Sequence, residues 1–272
     1  MKRIGVLLLL AAAVALPAAA HAGALPLQVT CFDEVATPGL SGGPGPDTLY
    51  GTPGNDVIFG WGGDDIIYGL GGRDRICGGE GNDRIYGGPG GDLLDGDWGN
   101  DRVYGQTGND GYILGGDGND ALFPGPGSMA FTATVEGGAG RDRIVINRPG
   151  YNEIFGGAGR DTIDFRNAPF GMLLDLRFEA EYIDDSGVPT IGGKAFEVEN
   201  VFGSSHDDFL SGNAQGNRLY GFAGSDTLHG RAGDDYLDGG TSVGDWLEGD
   251  DGTDTCVDPD GFIVGDECEI WP

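Results

Sequence analysis

Basic residues are scarce in this chain. Its 272 residues hold 15 Lys+Arg against 44 Asp+Glu, a formal net charge of −29, and only Lys2 and Lys194 are lysines. So acidic a molecule lacks the basic face that nucleic acid or an anionic lipid surface requires. Histidine occurs three times, at His21, His206 and His229, and no H-E-x-x-H segment or phosphate loop is present. This removes the usual zinc-helix hydrolases and nucleotide-binding folds. The four cysteines form no C-x-x-C pair, and there is no Asn-x-Ser/Thr acceptor. Beyond the N-terminus no apolar run approaches the ~20 residues of a membrane span. Glycine is what the chain has in excess, 56 residues. Each glycine inside a helix costs about 1 kcal/mol, so a helical domain is disfavoured. A hydrophobic fraction of 39% with 10% aromatics is too apolar for a solvated tail.

The first residues read as an export label. Met1-Lys2-Arg3 is a short positive start, Ile4 to Ala20 is apolar apart from Gly5 and Pro17, and Ala20-His21-Ala22 fits an A-x-A cleavage site. Residues 1–22 are therefore expected to be a cleaved signal peptide, leaving a mature chain of net charge −31 from Gly23. In an exported chain an even cysteine count favours disulfides. Cys31, Cys77, Cys256 and Cys268 allow three connectivities, of which Cys31–Cys77 with Cys256–Cys268 is favoured because each pair is local and near one end.

The glycines recur every nine residues. From Gly42 the chain reads Gly-Gly-Pro-Gly-Pro-Asp-Thr-Leu-Tyr, and the frame continues from Gly51, Gly60, Gly69, Gly78, Gly87, Gly96 and Gly105. After one extra residue, assigned to Leu114, it returns at Gly115. The sixth position of these units is Asp47, Asp56, Asp65, Asp74, Asp83, Asp92, Asp101, Asp110 and Asp120. The eighth is apolar: Leu49, Ile58, Ile67, Ile76, Ile85, Leu94, Val103, Tyr112 and Leu122. A second group has Asp142, Asn152 and Asp161 at position 6, and a third, from Gly203, has Asp208, Asn217, Asp226, Asp235, Asp245 and Asp254. Eighteen units in phase, sixteen with Asp and two with Asn, are not a low-complexity tract.

The pattern resembles the Gly-Gly-x-Gly-x-Asp-x-U-x nonapeptide of the RTX, or haemolysin-type, calcium-binding repeats, where U is a large apolar residue. The resemblance implies an all-β fold, a parallel β-roll or two-sheet β-solenoid, folded around several Ca2+ ions. The residues permit the same construction. Positions 7 to 9 make a short strand with position 8 facing inward. Each unit reverses the chain once, so two units make one coil, and coils stack at strand spacing of about 4.8 Å. Position-6 carboxylates of units i and i+2 then lie one above the other, as Asp47 over Asp65 on one edge and Asp56 over Asp74 on the other. Carboxylate and carbonyl oxygens, roughly six to eight around an ion, are calcium chemistry rather than zinc or copper chemistry.

The expected organisation is a cap over 23–41, repeat blocks over 42–123, 137–164 and 203–257, a loop-and-strand interruption over 124–136, an insertion within the roll over 165–202, and a second cap over 258–272. Within the interruptions, Phe131–Val135, Met172–Leu176 and Ala195–Glu199 read as strands. No catalytic site is expected. Gly39-Leu40-Ser41-Gly42-Gly43 matches G-x-S-x-G, but no strand precedes it and no helix follows. The acidic pairs Asp64-Asp65, Asp207-Asp208 and Asp234-Asp235 fall at positions 5 and 6 of units, where calcium ligation explains them. The cleavable leader and the cysteines depart from type I exported RTX proteins. The chain looks more like calcium-repeat proteins that bacteria export by the general route. The leading expectation is a secreted calcium-binding protein. The alternatives are calcium-dependent adhesion to extracellular polysaccharide or a cell-surface protein, with Tyr50, Phe59, Tyr68, Tyr86 and Tyr104 as a contact stripe, and an accessory part of a polysaccharide-modifying enzyme.

Overall fold

The computed structural model describes residues 30–125, 133–147, 152–176, 180–184, 193–242, 244–259 and 268. The leader at 1–22 lies outside them, as do most of 258–272 and the first two residues of the Phe131–Val135 segment. The described chain is all strand, arranged as a twelve-stranded and an eleven-stranded sheet with a two-stranded hairpin at the N-terminal end. Apart from the strands between 172 and 196, consecutive strands alternate between the two large sheets. Within each sheet, a strand pairs in parallel with the strand one coil away. Thus Ile58 aligns with Ile76 in one sheet and Ile67 with Ile85 in the other. This is a two-sheet parallel β-roll.

The core is a single file of position-8 side chains between the sheets. Ile58, Ile67, Ile76, Ile85, Leu94, Val103, Leu122, Ile144, Ile163, Leu219 and Leu237 are all 0% exposed. One aliphatic residue per unit is a thin core, so the turns decide whether it stays closed. Glycine is obligatory where turns of successive coils touch. A Cβ on Gly60 would run into the Gly78 carbonyl and the Asp65 carboxylate. Gly99, at φ +141°, would meet the Gly81 carbonyl.

One inward assignment needs correction. The unit from Gly105 has ten residues, and the inserted one is Gly111 rather than Leu114. Tyr112 pairs with Leu93 at position 7 and Ile113 with Leu94 at position 8. Ile113 is fully buried and Tyr112 is 50% exposed. Absorbing the extra residue at Gly111, where a Cβ would press on Leu93, keeps the phenol hydroxyl out of an apolar file that offers it no partner. Ile113→Ala is expected to cost about 2–5 kcal/mol and Tyr112→Ala no more than about 0.5 kcal/mol, read by denaturant unfolding in calcium. The opposite ranking would restore Tyr112 to the core.

The interruptions join the same sheets. Ala133–Gly140 pairs with Tyr112–Gly118 and with Asn152–Gly159. Between 165 and 202, Met172–Asp175 pairs in parallel with Phe209–Ser211, and Gly193–Phe196 in parallel with the Asn152–Gly159 strand. Ala180–Asp184 runs antiparallel between them, so the twelve-stranded sheet is unbroken.

The described N-terminal segment covers an edge that would otherwise invite pairing with another chain. Thr37 N–H donates to the Val57 carbonyl (2.8 Å), and Gly42 N–H to that of Phe59 (2.9 Å). Ser41, of the G-x-S-x-G match, accepts a hydrogen bond from the Trp61 indole (3.0 Å) and has no histidine partner. Cys31 is bonded to Cys77 on the outer face of the twelve-stranded sheet, over a small cluster with Val57, Phe32 and Phe59. Cys256 is bonded to Cys268, and both belong to the main core.

Candidate metal centre: two columns of buried carboxylates

The coil repeat brings the position-6 aspartates into two columns, one along each edge of the roll. In each, the backbone N–H of one aspartate donates to Oδ1 of the aspartate one coil on. Along the first edge Asp47 donates to Asp65 (2.7 Å), Asp65 to Asp83 (2.7 Å), Asp83 to Asp101 (2.7 Å), Asp101 to Asp120 (2.8 Å), Asp120 to Asp142 (2.8 Å) and Asp142 to Asp161 (2.8 Å). Beyond the insertion, Asn217 donates to Asp235 (2.6 Å) and Asp235 to Asp254 (2.8 Å). Along the second edge Asp56, Asp74, Asp92 and Asp110 form one run. Asp208, Asp226 and Asp245 form another.

The second column is cut between those runs. Ala133 pairs with Asn152 at the sixth position, so one coil there presents a methyl group. Met172 takes the same place beside Asp208, donating its N–H to Asp208 Oδ1 (2.6 Å).

Only half of each carboxylate is satisfied within the protein. Oδ2 of Asp65, Asp74, Asp83, Asp92, Asp101, Asp120, Asp142, Asp161, Asp226 and Asp235 is buried without a hydrogen-bond partner. At the ends or in altered turns the protein fills the need itself. Thr52 donates to Asp56 Oδ2 (2.6 Å from N–H, 2.9 Å from the hydroxyl) and Ser204 N–H to Asp208 Oδ2 (2.6 Å). Leaving a buried charged oxygen unpaired costs several kcal/mol. Asp164 shows what this chain does when it provides a cation. That carboxylate is also 0% exposed, and Arg143 and Arg166 both bind its Oδ2. No such partner meets the ten column aspartates among the described residues.

The electrostatics follow. Burial pushes Asp74, Asp226 and Asp235 up to about 7 and Asp101 up to about 8. It pushes Asp83, Asp110, Asp120, Asp142 and Asp161 up to about 6. The N–H of the neighbouring coil pulls each back toward the ordinary value, and the adjacent column carboxylate raises most of them again. A file of carboxylates driven toward neutrality only by burial and mutual repulsion, each with a spare oxygen, is the donor set of a hard, oxygen-seeking cation.

Five stretches of the chain match the RTX calcium-binding nonapeptide repeat: residues 41–76, 78–111, 112–128, 149–167 and 202–237, together more than half of the sequence. The chain belongs to the RTX calcium-binding repeat family. A search of curated proteins finds no match. The RTX repeat accounts for the columns, and the structure continues them outside the matched stretches, through Asp142 and on to Asp245 and Asp254.

The aromatic stripe differs in composition from the expectation. Tyr50, Tyr68, Tyr86, Tyr104 and Phe123 form one ladder on the outside of the eleven-stranded sheet, with ring centroids 4.5–5.0 Å apart and planes within 9°. Phe59 is absent from it, because alternate units feed opposite sheets; its ring packs edge-on against Trp61. Asp95 and Asp97 also approach Cys77 on the outer face. That sulfur is committed to Cys31.

In the sequence, Glu199-Asn200-Val201, just before Gly203, resembles an entry to a repeat block in related calcium-repeat chains, but the repeat frame does not count Glu199 among the column residues. The Asp161 N–H donates to Glu199 Oε2 (2.8 Å), so a glutamate occupies the next place in the first column. The signal was an acidic residue directly before the strand Asn200–Phe202 and Gly203, which is where position 6 belongs. The irregular spacing upstream hid it.

Proposed function

We propose that this RTX protein is an exported, non-catalytic β-roll whose fold is completed by several calcium ions held between successive turns. The buried, unpartnered Oδ2 atoms of the aspartate columns carry this reading. The ligands are the position-6 carboxylates named above together with turn carbonyls, and the bound ions supply the positive charge that the ten unpaired oxygens lack. Two disulfides suit an oxidising compartment. With the leader at 1–22 they favour export by the general route of a bacterium, with 23–41 and 258–272 closing the ends of the roll. Among the described residues no helix is long and apolar enough to cross a membrane.

Adhesion to extracellular polysaccharide or a cell-surface protein draws less support. Sugars stack on open aromatic faces, whereas the faces of Tyr68, Tyr86 and Tyr104 are each covered on both sides by neighbouring rings. Each ring pair contributes about 0.5–1.5 kcal/mol beyond burial, so the ladder's own role is to hold coils in register.

The test is calorimetry on the exported protein. Its N-terminus is expected at Gly23. Calcium is expected to bind at several sites per chain, and magnesium, which holds its waters and demands a stricter octahedron, far more weakly. Equal binding of the two metals, or none of either, would refute the calcium reading.

A further inference from the structure

We infer that Asp95 and Asp97 guard the Cys31–Cys77 disulfide against thiols, so that the N-terminal hairpin stays locked to the roll where reductants are present. The guard is a local charge effect and is independent of the carboxylate columns.

The disulfide is the fastening of that hairpin. Thr30 aligns with Val35 across a turn made by Phe32 and Asp33, both in the left-handed region at φ +51° and +64°. The hairpin is held to the twelve-stranded sheet by an ion pair, Arg75 to Glu34 (3.1 Å), and by the bond from Cys31 to Cys77. The ion pair is open to water and holds weakly. The covalent bond is therefore the lock. The hairpin leads directly into Thr37–Gly42, the segment that covers the edge at Val57 and Phe59.

The parallel register brings two carboxylates to the locked sulfur. Cys77 aligns with Asp95 and Gly79 with Asp97. Cys77 Sγ and an oxygen of each carboxylate lie within 4.8 Å of one another. Asp97 stands at φ +69°, where the coil before it has Gly79 and the coil after it has Gly116. A backbone that suits glycine thus carries a carboxylate at this one coil. The Asp97 N–H donates to Asp95 Oδ1 (3.1 Å). Among the described residues neither carboxylate has a basic partner, and Arg75 is turned to Glu34. Burial, and next the charge of Asp97, pushes Asp95 up to about 7, so it is ionised at pH 8.

Reduction must bring negative charge to this place by either route. A reductant thiolate attacks one sulfur, a new S–S bond forms, the old one breaks, and its electron pair leaves on the other sulfur. Attack at Cys31 expels Cys77 as a thiolate against the two carboxylates. Attack at Cys77 drives the incoming thiolate against them. With a dithiol reagent the second thiol then displaces the protein sulfur, so the reagent is oxidised by two electrons and the protein is left with two thiols. Each carboxylate at that distance slows the approach or release of a negative charge by about fourfold, even at the dielectric constant of water. Burial adds to this, because Cys31 is 1% and Cys77 5% exposed.

The test is timed reduction of the full chain by dithiothreitol at pH 8 in calcium, with alkylation and mass spectrometry to follow each disulfide. Cys256–Cys268, at the other end of the roll, is the internal reference. The double variant Asp95→Asn with Asp97→Asn keeps the side-chain shapes and removes the charges. It is expected to open Cys31–Cys77 at least tenfold faster than the parent, with the reference rate unchanged. Asp117→Asn, aligned with Trp98 one coil on, is expected to stay within twofold of the parent. A double variant within twofold of the parent, or an equal acceleration by Asp117→Asn, would overturn the inference. If both disulfides open faster in the double variant, the roll has loosened, and reagent charge decides. The preference of Cys31–Cys77 for a cationic over an anionic monothiol then falls severalfold if charge is the guard. An unchanged preference would show that access alone protects the bond.

Discussion

Stripped of calcium at pH 8, the purified chain is expected to lose most of its β-sheet signal and to regain it cooperatively on titration with calcium. Two inward aliphatic side chains per coil are opposed by the ordering of a whole 18-residue coil, the spacing that separates Asp65 from Asp83. Backbone ordering costs about 1–2 kcal/mol per residue. At pH 8 most column aspartates are ionised, and their spare oxygens are buried against like charges at strand spacing. A ligand present at a hundredfold excess over Kd stabilises by about 2.7 kcal/mol per site. A few such sites match the whole net stability of an ordinary domain, about 5–15 kcal/mol. Far-ultraviolet circular dichroism with and without chelator measures this directly. A spectrum and a melting temperature indifferent to chelation would show that the roll closes without metal.

The second large effect is a reversal of pH dependence between the two metal states. In the unfolded chain the aspartates titrate near 3.9. In the metal-free roll burial holds them higher, about 6 for Asp142 and about 8 for Asp101. Between these limits the folded chain binds more protons than the unfolded one. Stability from this source is therefore fully present below about pH 4 and is lost as pH rises through 6 to 8. In chelator the melting temperature is expected to fall from pH 5 to pH 8. In calcium the sign inverts, because the ion binds only the deprotonated ligands. Affinity and melting temperature then rise over the same interval. Two thermal series, one in each state, suffice to measure it. Parallel slopes would mean that the column carboxylates do not control the fold.

Much of this was legible in the sequence because a solenoid is nearly one-dimensional. Each unit touches only the units beside it, so a nine-residue period translates directly into coil pairing, and position 6 of Asp65 stacks on Asp83 with no long-range information needed. The inward file of Ile58, Ile67 and Ile76 follows from the same period with the two-residue alternation of a strand. Both disulfides were legible as local pairs near the ends, although their connectivity was one of three.

What the tertiary structure alone decided lies where the period fails. In the ten-residue unit after Gly105, two adjacent residues competed for one inward place. The choice of Ile113 over Tyr112 depends on where the surplus residue is absorbed, at Gly111 against Leu93. At Glu197-Val198-Glu199 the count is three residues short. Its function as a turn shows only once Phe196 and Asn200 are seen aligned with their neighbours. The places of Glu199 beyond Asp161 on one edge and of Met172 beside Asp208 on the other likewise depend on how the insertion pairs with the coils around it. A repeat specifies its own contacts through spacing. A departure from the repeat is specified by space, because only packing against the coils above and below determines which side chain fits and which oxygen reaches.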